Sequence, residues 1–155
     1  MRELLSSQID IDTRKRLLKA YVWSVALYGC EAWTLGKPEM KRIEAFEMWC
    51  YRRMKKIKWI DKITNKRVLE MVGEEKQIIV CIRKRRDRMV GHILRHGGMM
   101  KLLFEGIAEG KKCRGRQRLS YLKQIEEDMG VDSYRELREL AQDRALWRKR
   151  VSNQS

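Results

Sequence analysis

The sequence predicts a mostly α-helical protein: a helical bundle with a short irregular or extended basic connection and a carboxy-terminal helix pair. Apolar residues recur at intervals of three and four over most of the 155 residues, which is the period of an amphipathic helix. The chain contains one proline and no sustained alternation of apolar and polar residues, so strands are not expected. A hydrophobic content of 43% with five tryptophans is sufficient for a folded core.

Two long helices are predicted first. One begins near Asp12 and ends at Gly29. Its apolar stripe is predicted to consist of Leu17, Leu18, Tyr21, Val22, Val25 and Ala26. The other is entered through Gly36 and Pro38, because a proline in the first turn loses no hydrogen bond. Its inward side is predicted to consist of Met40, Ile43, Phe46, Cys50, Met54 and Ile57.

The last turns of this second helix are strongly basic. The cations are Arg52, Arg53, Lys55, Lys56 and Lys58. They either complement the negative end of the helix dipole or form part of a surface for a polyanion. Both interpretations stay open at the level of the sequence.

The middle of the chain predicts a short helix and a long one. Thr64 is a suitable N-cap for the short helix, which ends at Gly73, although Lys66 and Arg67 in its first turn oppose the helix dipole. The long helix extends from about 75 to 96 and ends at the Gly97-Gly98 pair. Its inward residues are predicted to be Ile78, Ile82, Met89 and Ile93, and its basic residues are Arg83, Lys84, Arg85, Arg86 and Arg88.

The carboxy-terminal helix pair is predicted from local signals. One helix runs from Ser120 to Gly130, and the other runs from Ser133, where a capping box with Glu136 opens it, to about Val151. Between 99 and 119 the helical period fails, so an irregular or extended connection is expected there. These segments divide the chain into regions 1–60, 61–98, 99–119 and 120–155.

The charge of the chain predicts a polyanionic partner. Lys plus Arg number 36 against 21 Asp plus Glu, a net charge of +15. Nine residues, 110–118, hold two glycines and five cations without an acid: Lys111, Lys112, Arg114, Arg116 and Arg118. Such a segment suits the phosphates of RNA or DNA, and the alternative is a solvated linker between helices. A membrane partner is not expected, since the longest apolar run, 22–27, is far too short to span one.

Candidate sites of other kinds are weak. Cys81, His92, His96 and Cys113 lack the close cysteine pair of compact zinc sites, and no catalytic triad or nucleotide-binding loop is present. We therefore predict no metal, no cofactor and no catalytic residue. The four widely spaced cysteines are interpreted as reduced thiols, with Cys30 and Cys50 in the core, which predicts a nuclear or cytoplasmic protein rather than a secreted one.

The tryptophans are predicted to belong mostly to the core. Trp49 and Trp147 lie at helical spacing with apolar neighbours. Trp59 differs because Lys58 and Lys62 flank it, and we predict it as a candidate for stacking on an unpaired base.

Several segments together resemble the region that follows the catalytic palm in the reverse transcriptases of non-LTR (LINE-like) retrotransposons. The segments are RLLKAYVWSVALYGCEAWTL at 16–35, IEAFEMWCYRRM at 43–54, GHILR at 91–95, RGRQR at 114–118 and AQDRALWR at 141–148. The resemblance covers nearly the whole chain. It implies a thumb-like helical region and a basic tail in a parent enzyme that copies RNA into DNA.

The resemblance also implies that this chain is not catalytic by itself. The parent family uses paired palm aspartates to hold two magnesium ions. Every aspartate here is isolated in sequence: Asp10, Asp12, Asp61, Asp87, Asp128, Asp132 and Asp143. We expect a copy that begins after the active site and binds nucleic acid. The alternative is a host-recruited interaction module whose apolar helix faces bind a protein partner and whose basic charge is incidental.

Overall fold

A computed structural model describes residues 9–105 and 121–154. Over these ranges the chain is predominantly helical and contains no strand, so the predicted fold class is confirmed. None of the helices in the same ranges combines the length and the apolar character that crossing a membrane requires. Most of the predicted basic connection, including its cations from Lys111 to Arg118, lies outside the described residues.

The described residues form two compact units. The first comprises 9–29 and Gly36–Cys81, and the second comprises Cys30–Leu35 and the described residues from Ile82 onward. The helices of the first unit are α1 (Ile11–Leu17), a π-helical stretch (Leu18–Trp23), α2 (Ser24–Ala26), α3 (Lys37–Met54), a 3-10 turn (Trp59–Asp61) and α4 (Asn65–Val72). Those of the second are a 3-10 turn (Cys30–Ala32), α6 (Met99–Phe104), α7 (Tyr121–Met129), α8 (Tyr134–Gln142) and α9 (Arg144–Ser152). The division falls within α5 (Ile78–Arg95).

The first predicted helix has a different inward face from the one expected. Asp10 caps it by accepting from the backbone N–H of Asp12 at 3.0 Å. The π-helical stretch then widens the turn, because its hydrogen bonds span five residues instead of four. The buried side chains are consequently Leu18, Trp23 and Leu27. The prediction of Tyr21, Val25 and Ala26 as inward residues was wrong, since all three are exposed.

Helix α3 begins as predicted, with Gly36 at the N-cap and Pro38 in the first turn. Of its predicted inward residues, Cys50 and Met54 are fully buried. The helix also buries residues that the sequence did not indicate: Glu47, Met48 and Tyr51. Helix α4 is capped by Thr64 Oγ1, which accepts from the Arg67 N–H at 3.4 Å, and it ends at Gly73 with φ +65°. Both of its predicted limits are therefore confirmed.

The second unit is organised around Trp147. Its core consists of Val90, Leu94, Ile125, Met129, Leu137, Ala141, Trp147 and Val151. The indole Nε1 of Trp147 donates to the carbonyl of Asp87 at 2.9 Å, and the ring packs against the bare Cα of Gly91. This contact explains why a glycine occupies the middle of α5. The predicted core position of Trp147 is confirmed, whereas Trp49 is 49% exposed and the same prediction for it was wrong.

Two predicted elements near the carboxyl end are corrected. The helix expected from Ser133 to Val151 is broken at Asp143, whose Oδ1 accepts from the N–H groups of Ala145 and Leu146 at 2.9 Å each. Asp143 therefore ends α8 and caps α9. The region beginning at 99, predicted as irregular, opens with helix α6 instead.

Candidate nucleic-acid interface

The basic end of α3 continues into a loop that we call the basic loop, residues 55–62. One of the predicted contact residues, in the last turn of α3, has a structural role. Arg52 Nη2 donates to the carbonyl of Ile63 at 2.7 Å and to Asn65 Oδ1 at 2.9 Å. The guanidinium thus ties the last turn of α3 to the start of α4, and its Nη2 is used within the fold.

The other cations of this segment are accessible. Arg53, Lys56 and Lys58 are exposed, and Lys55 is half-buried. Among the described residues, the side chains of Arg53, Lys56 and Lys58 make no hydrogen bond or ion pair. Their charges are therefore balanced by solvent ions, which a phosphate strand would release on binding.

The apolar tip of the basic loop is fully presented to solvent. Trp59 is 96% exposed and the adjacent Ile60 is 83% exposed. Lys62, which follows the tip, is also exposed and was absent from the predicted contact residues. The structure thus leaves Trp59 accessible and places cations on both sides of it along the chain.

The basic run of α5 separates into buried and accessible members. Arg86 is only 4% exposed, and its guanidinium pairs with Asp128 and donates to Gln124 Oε1 at 3.1 Å. It also lies 5.9 Å from the centre of the Tyr121 ring, within cation–π range. Arg86 therefore links α5 to α7 and is unavailable to a phosphate.

The remaining members of this run are less committed. Arg83 lies 3.6 Å from Asp128, and Lys84 Nζ donates to the carbonyl of Ser152 at 3.1 Å. Arg85 is half-buried and Arg88 is exposed, and within the described part of the chain neither side chain has a hydrogen-bond or ion-pair partner. Arg85 and Arg88 are thus the two predicted contacts on α5 that the fold leaves free.

A buried carboxylate accompanies Arg86. Asp87 is completely buried, and its Oδ2 accepts from Gln154 Nε2 at 2.7 Å. Burial raises the pKa of Asp87 to about 6, despite the opposing effects of the Gln154 hydrogen bond and the Arg86 charge. This carboxylate therefore belongs to the polar core of the second unit and offers nothing to an anionic ligand.

A further cationic group consists of three arginines that were not among the predicted contact residues. We call Arg95, Arg144 and Arg148 the arginine trio. Arg95 Nη1 donates to the carbonyl of Ala141 at 3.0 Å. Burial, followed by the positive charges of Arg144 and Arg148, lowers the pKa of Arg95. The signal available in the sequence was the four-residue spacing of Arg144 and Arg148, which places both on one side of a helix.

The residues considered for other chemistry are also located. The rings of His92 and His96 have centres 4.4 Å apart, and in the described ranges no cluster of three or more metal-binding side chains occurs. Cys30 and Cys50 are fully buried, as predicted, and burial raises the pKa of the Cys50 thiol to about 11. Cys113 lies outside the described residues.

No protein-family model, curated protein or solved structure matches this chain.

Proposed function

We propose that this chain binds RNA or DNA through the sugar-phosphate backbone, with little sequence specificity and without catalysing a reaction. In this proposal it acts as the post-palm region of a LINE-type reverse transcriptase, in the nucleus or cytoplasm. The observation that supports the proposal best is the set of exposed cations without acidic partners on the basic loop. Cations in this state gain most from meeting phosphates, because only solvent ions neutralise them beforehand.

The proposed contact residues are a revised version of the predicted ones. Arg52 and Arg86 are removed because their guanidinium groups are bound within the fold. Arg83 and Lys84 are removed as well, because Arg83 pairs with Asp128 and Lys84 donates to the Ser152 carbonyl. The contacts proposed on the described residues are Arg53, Lys55, Lys56, Lys58, Lys62, Arg85, Arg88, Arg144 and Arg148. The cations at 111–118 remain contacts predicted from the sequence alone.

Salt dependence provides the test. If about six phosphates are contacted, the logarithm of the association constant should fall with the logarithm of salt concentration with a slope of about −4 for a single strand and about −5 for a duplex. Replacing Arg53, Lys56 and Lys58 together by alanine should make the slope less steep by about 2 to 3. Fluorescence anisotropy with labelled RNA, single-stranded DNA and duplex measures both quantities. Absence of binding to all three at low salt would refute the proposal.

A matched control removes the same charge from positions that already have partners. Three exposed cations each pair with a glutamate: Arg67 with Glu70, Lys76 with Glu44 and Arg135 with Glu139, at 3.0, 2.7 and 3.1 Å. Their triple alanine variant should leave the salt slope nearly unchanged. An equal change in both triple variants would mean that net charge alone, and not the basic loop, determines binding.

A protein-binding role is the second candidate, and helix α6 favours it. Four apolar side chains of this short helix are exposed: Met99, Met100, Leu102 and Leu103. An apolar surface of this kind is typical of an interaction site. Recovery of a specific protein by the full chain after nuclease treatment, together with no affinity for oligonucleotides, would favour this candidate over the first.

A further inference from the structure

The apolar tip of the basic loop requires an explanation that phosphate binding does not supply. Trp59 and Ile60 are adjacent and almost fully exposed, at 96% and 83%. Exposing two large apolar side chains together is unfavourable in water unless a ligand covers them. A phosphate backbone makes no favourable contact with either of these apolar side chains.

The tip is held in place and is not a loose connection. The backbone N–H of Lys58 donates to Asp61 Oδ2 at 2.6 Å, and the N–H of Asp61 donates to the Lys58 carbonyl at 3.2 Å. On the far side, Arg52 holds the carbonyl of Ile63 at 2.7 Å. These bonds fix both ends of the turn that carries Trp59, so a ligand would meet a backbone that is already ordered.

Backbone strain is concentrated on the same loop. Lys56 has φ +56° and Lys62 has φ +47°. In the ranges that the structure describes, these are the only residues other than glycine with positive φ. An L-residue adopts this conformation at a cost, and such strain clusters at binding sites where the surrounding structure imposes it.

The charges around the tip indicate the class of ligand. Lys56, Lys58 and Lys62 surround Trp59 in sequence, and the nearest acid, Asp61, is engaged by the Lys58 N–H. A ligand that offers a flat π face and anionic groups on both sides of it satisfies this arrangement. An unpaired nucleotide within a single strand has these features, whereas the bases of a duplex are already stacked on each other.

We propose that the basic loop binds an unpaired nucleotide of a single strand, with its base stacked on Trp59 and the flanking phosphates contacting Lys56, Lys58 and Lys62. The inference rests on the proposed nucleic-acid binding and specifies its substrate class. A lipid surface would also accept a tryptophan among lysines, but membrane affinity scales with buried apolar area, and two side chains supply little of it.

The test compares probes that have equal charge but differ in bases. The full chain is titrated with a short thymidylate oligomer, with an abasic oligomer of the same length, and with a duplex. The wild-type protein should bind the thymidylate oligomer about 5- to 150-fold more tightly than the abasic one. Trp59→Ala should abolish this preference and leave affinity for the abasic oligomer unchanged. Trp59→Phe, which keeps a ring, should retain part of it.

Tyr28→Ala provides a matched control, since Tyr28 is an aromatic residue of the same unit and is 86% exposed. It should keep the full preference. Circular dichroism of Trp59→Ala should equal that of the wild type, because the side chain makes almost no buried contact.

Four outcomes would overturn the inference or its basis. Equal loss of affinity for thymidylate and abasic oligomers in Trp59→Ala would show that the ring supports the loop instead of stacking. Equal affinity of the wild type for the two oligomers would refute base stacking and leave backbone binding intact. Absence of any binding to either oligomer by the wild type would refute the proposed function itself. Binding to phosphatidylserine vesicles that requires Trp59, with an unchanged thymidylate preference, would assign the tip to a membrane.

Discussion

Replacing Gly91 by alanine should destabilise the second unit, even though alanine is the better helix former. Gly91 lies in the middle of α5, opposite the indole of Trp147. An alanine Cβ at this position would lie 2.6 Å from Cε2 and 2.9 Å from Cδ1 of that ring, well inside normal contact distances. The ring cannot yield easily, because it is only 2% exposed and its Nε1 is bonded to the carbonyl of Asp87.

The expected loss of stability can be estimated from two typical costs. Overpacking a well-packed core costs about 1–3 kcal/mol, and losing a buried tryptophan altogether costs about 3–5 kcal/mol. Because the three nearest atoms all belong to one rigid ring, we expect a cost near the second limit. Alanine has a higher helix propensity than glycine, and this difference offsets about 1 kcal/mol of the steric cost. The net loss in the free energy of unfolding should therefore be about 2–4 kcal/mol.

Urea denaturation followed by circular dichroism measures this loss. Gly97→Ala is the matched control, since a Cβ at Gly97 would meet no atom within 4 Å and its stability should change little. In a Trp147→Leu background, Gly91→Ala should cost much less, because the rigid ring is absent. Equal stability of Gly91→Ala and the wild type, or an equal loss in both backgrounds, would refute the steric argument.

The remaining predictions concern charge and capping. Burial raises the pKa of Asp87 from 3.8 to about 6, so the folded state holds the proton more tightly than the unfolded chain. This carboxyl should therefore make stability fall by about 2 kcal/mol as pH rises from about 4 to about 6. Asp87→Asn should remove this fall, and identical pH dependence of unfolding in the two proteins would contradict it. Asp143→Ala should lower stability by about 1 kcal/mol through loss of the α9 cap, and an unchanged urea midpoint would count against the cap. Arg86→Met should cost about 3–5 kcal/mol because it removes the buried guanidinium that pairs with Asp87 and Asp128. Arg88→Met should leave the urea midpoint unchanged and make the salt slope less steep by about 0.7 to 0.9. If Arg88→Met lowered the midpoint and Arg86→Met made the salt slope less steep, Arg86 would be a contact residue after all.

Local sequence signals predicted the helix limits well where one residue determines them. Gly36 with Pro38, and Thr64 with Gly73, act within a single turn, so their effects are visible without the rest of the fold. The cap at Asp143 is equally local, but the apolar spacing on both sides of it is helical and concealed the break.

Which side of a helix faces the core was harder to predict than the presence of the helix. The π-helical stretch beginning at Leu18 adds about one residue to the turn, which moves the inward side of this helix by about one position. Nothing in the composition of this stretch distinguishes it from an α-helix. The exposure of Tyr21 and the burial of Trp23 could therefore be assigned only from the fold.

The same difficulty applies to the candidate site, where the side of a helix that remains exposed depends on residues far away in the sequence. Residues three apart share a side of a helix, so the basic run of α5 presents Arg83 and Arg86 on one side and Arg85 and Arg88 on another. The sequence cannot show which side meets Asp128, an acid more than forty positions further along the chain. Pairing with that acid turns two of the arginines into a connection between helices and leaves the others for a ligand.

Formal charge consequently overstates the capacity of this chain for phosphate. The net value of +15 counts every cation equally. A cation already paired with a carboxylate releases no solvent ion when a strand approaches, so it adds nothing to the salt dependence. In the proposed binding, the salt slope should therefore depend on the unpaired cations that contact phosphate, and the basic loop carries several of them. That loop is also where the strained backbone presents an exposed ring, so the electrostatic and stacking contributions should be located on the same few residues.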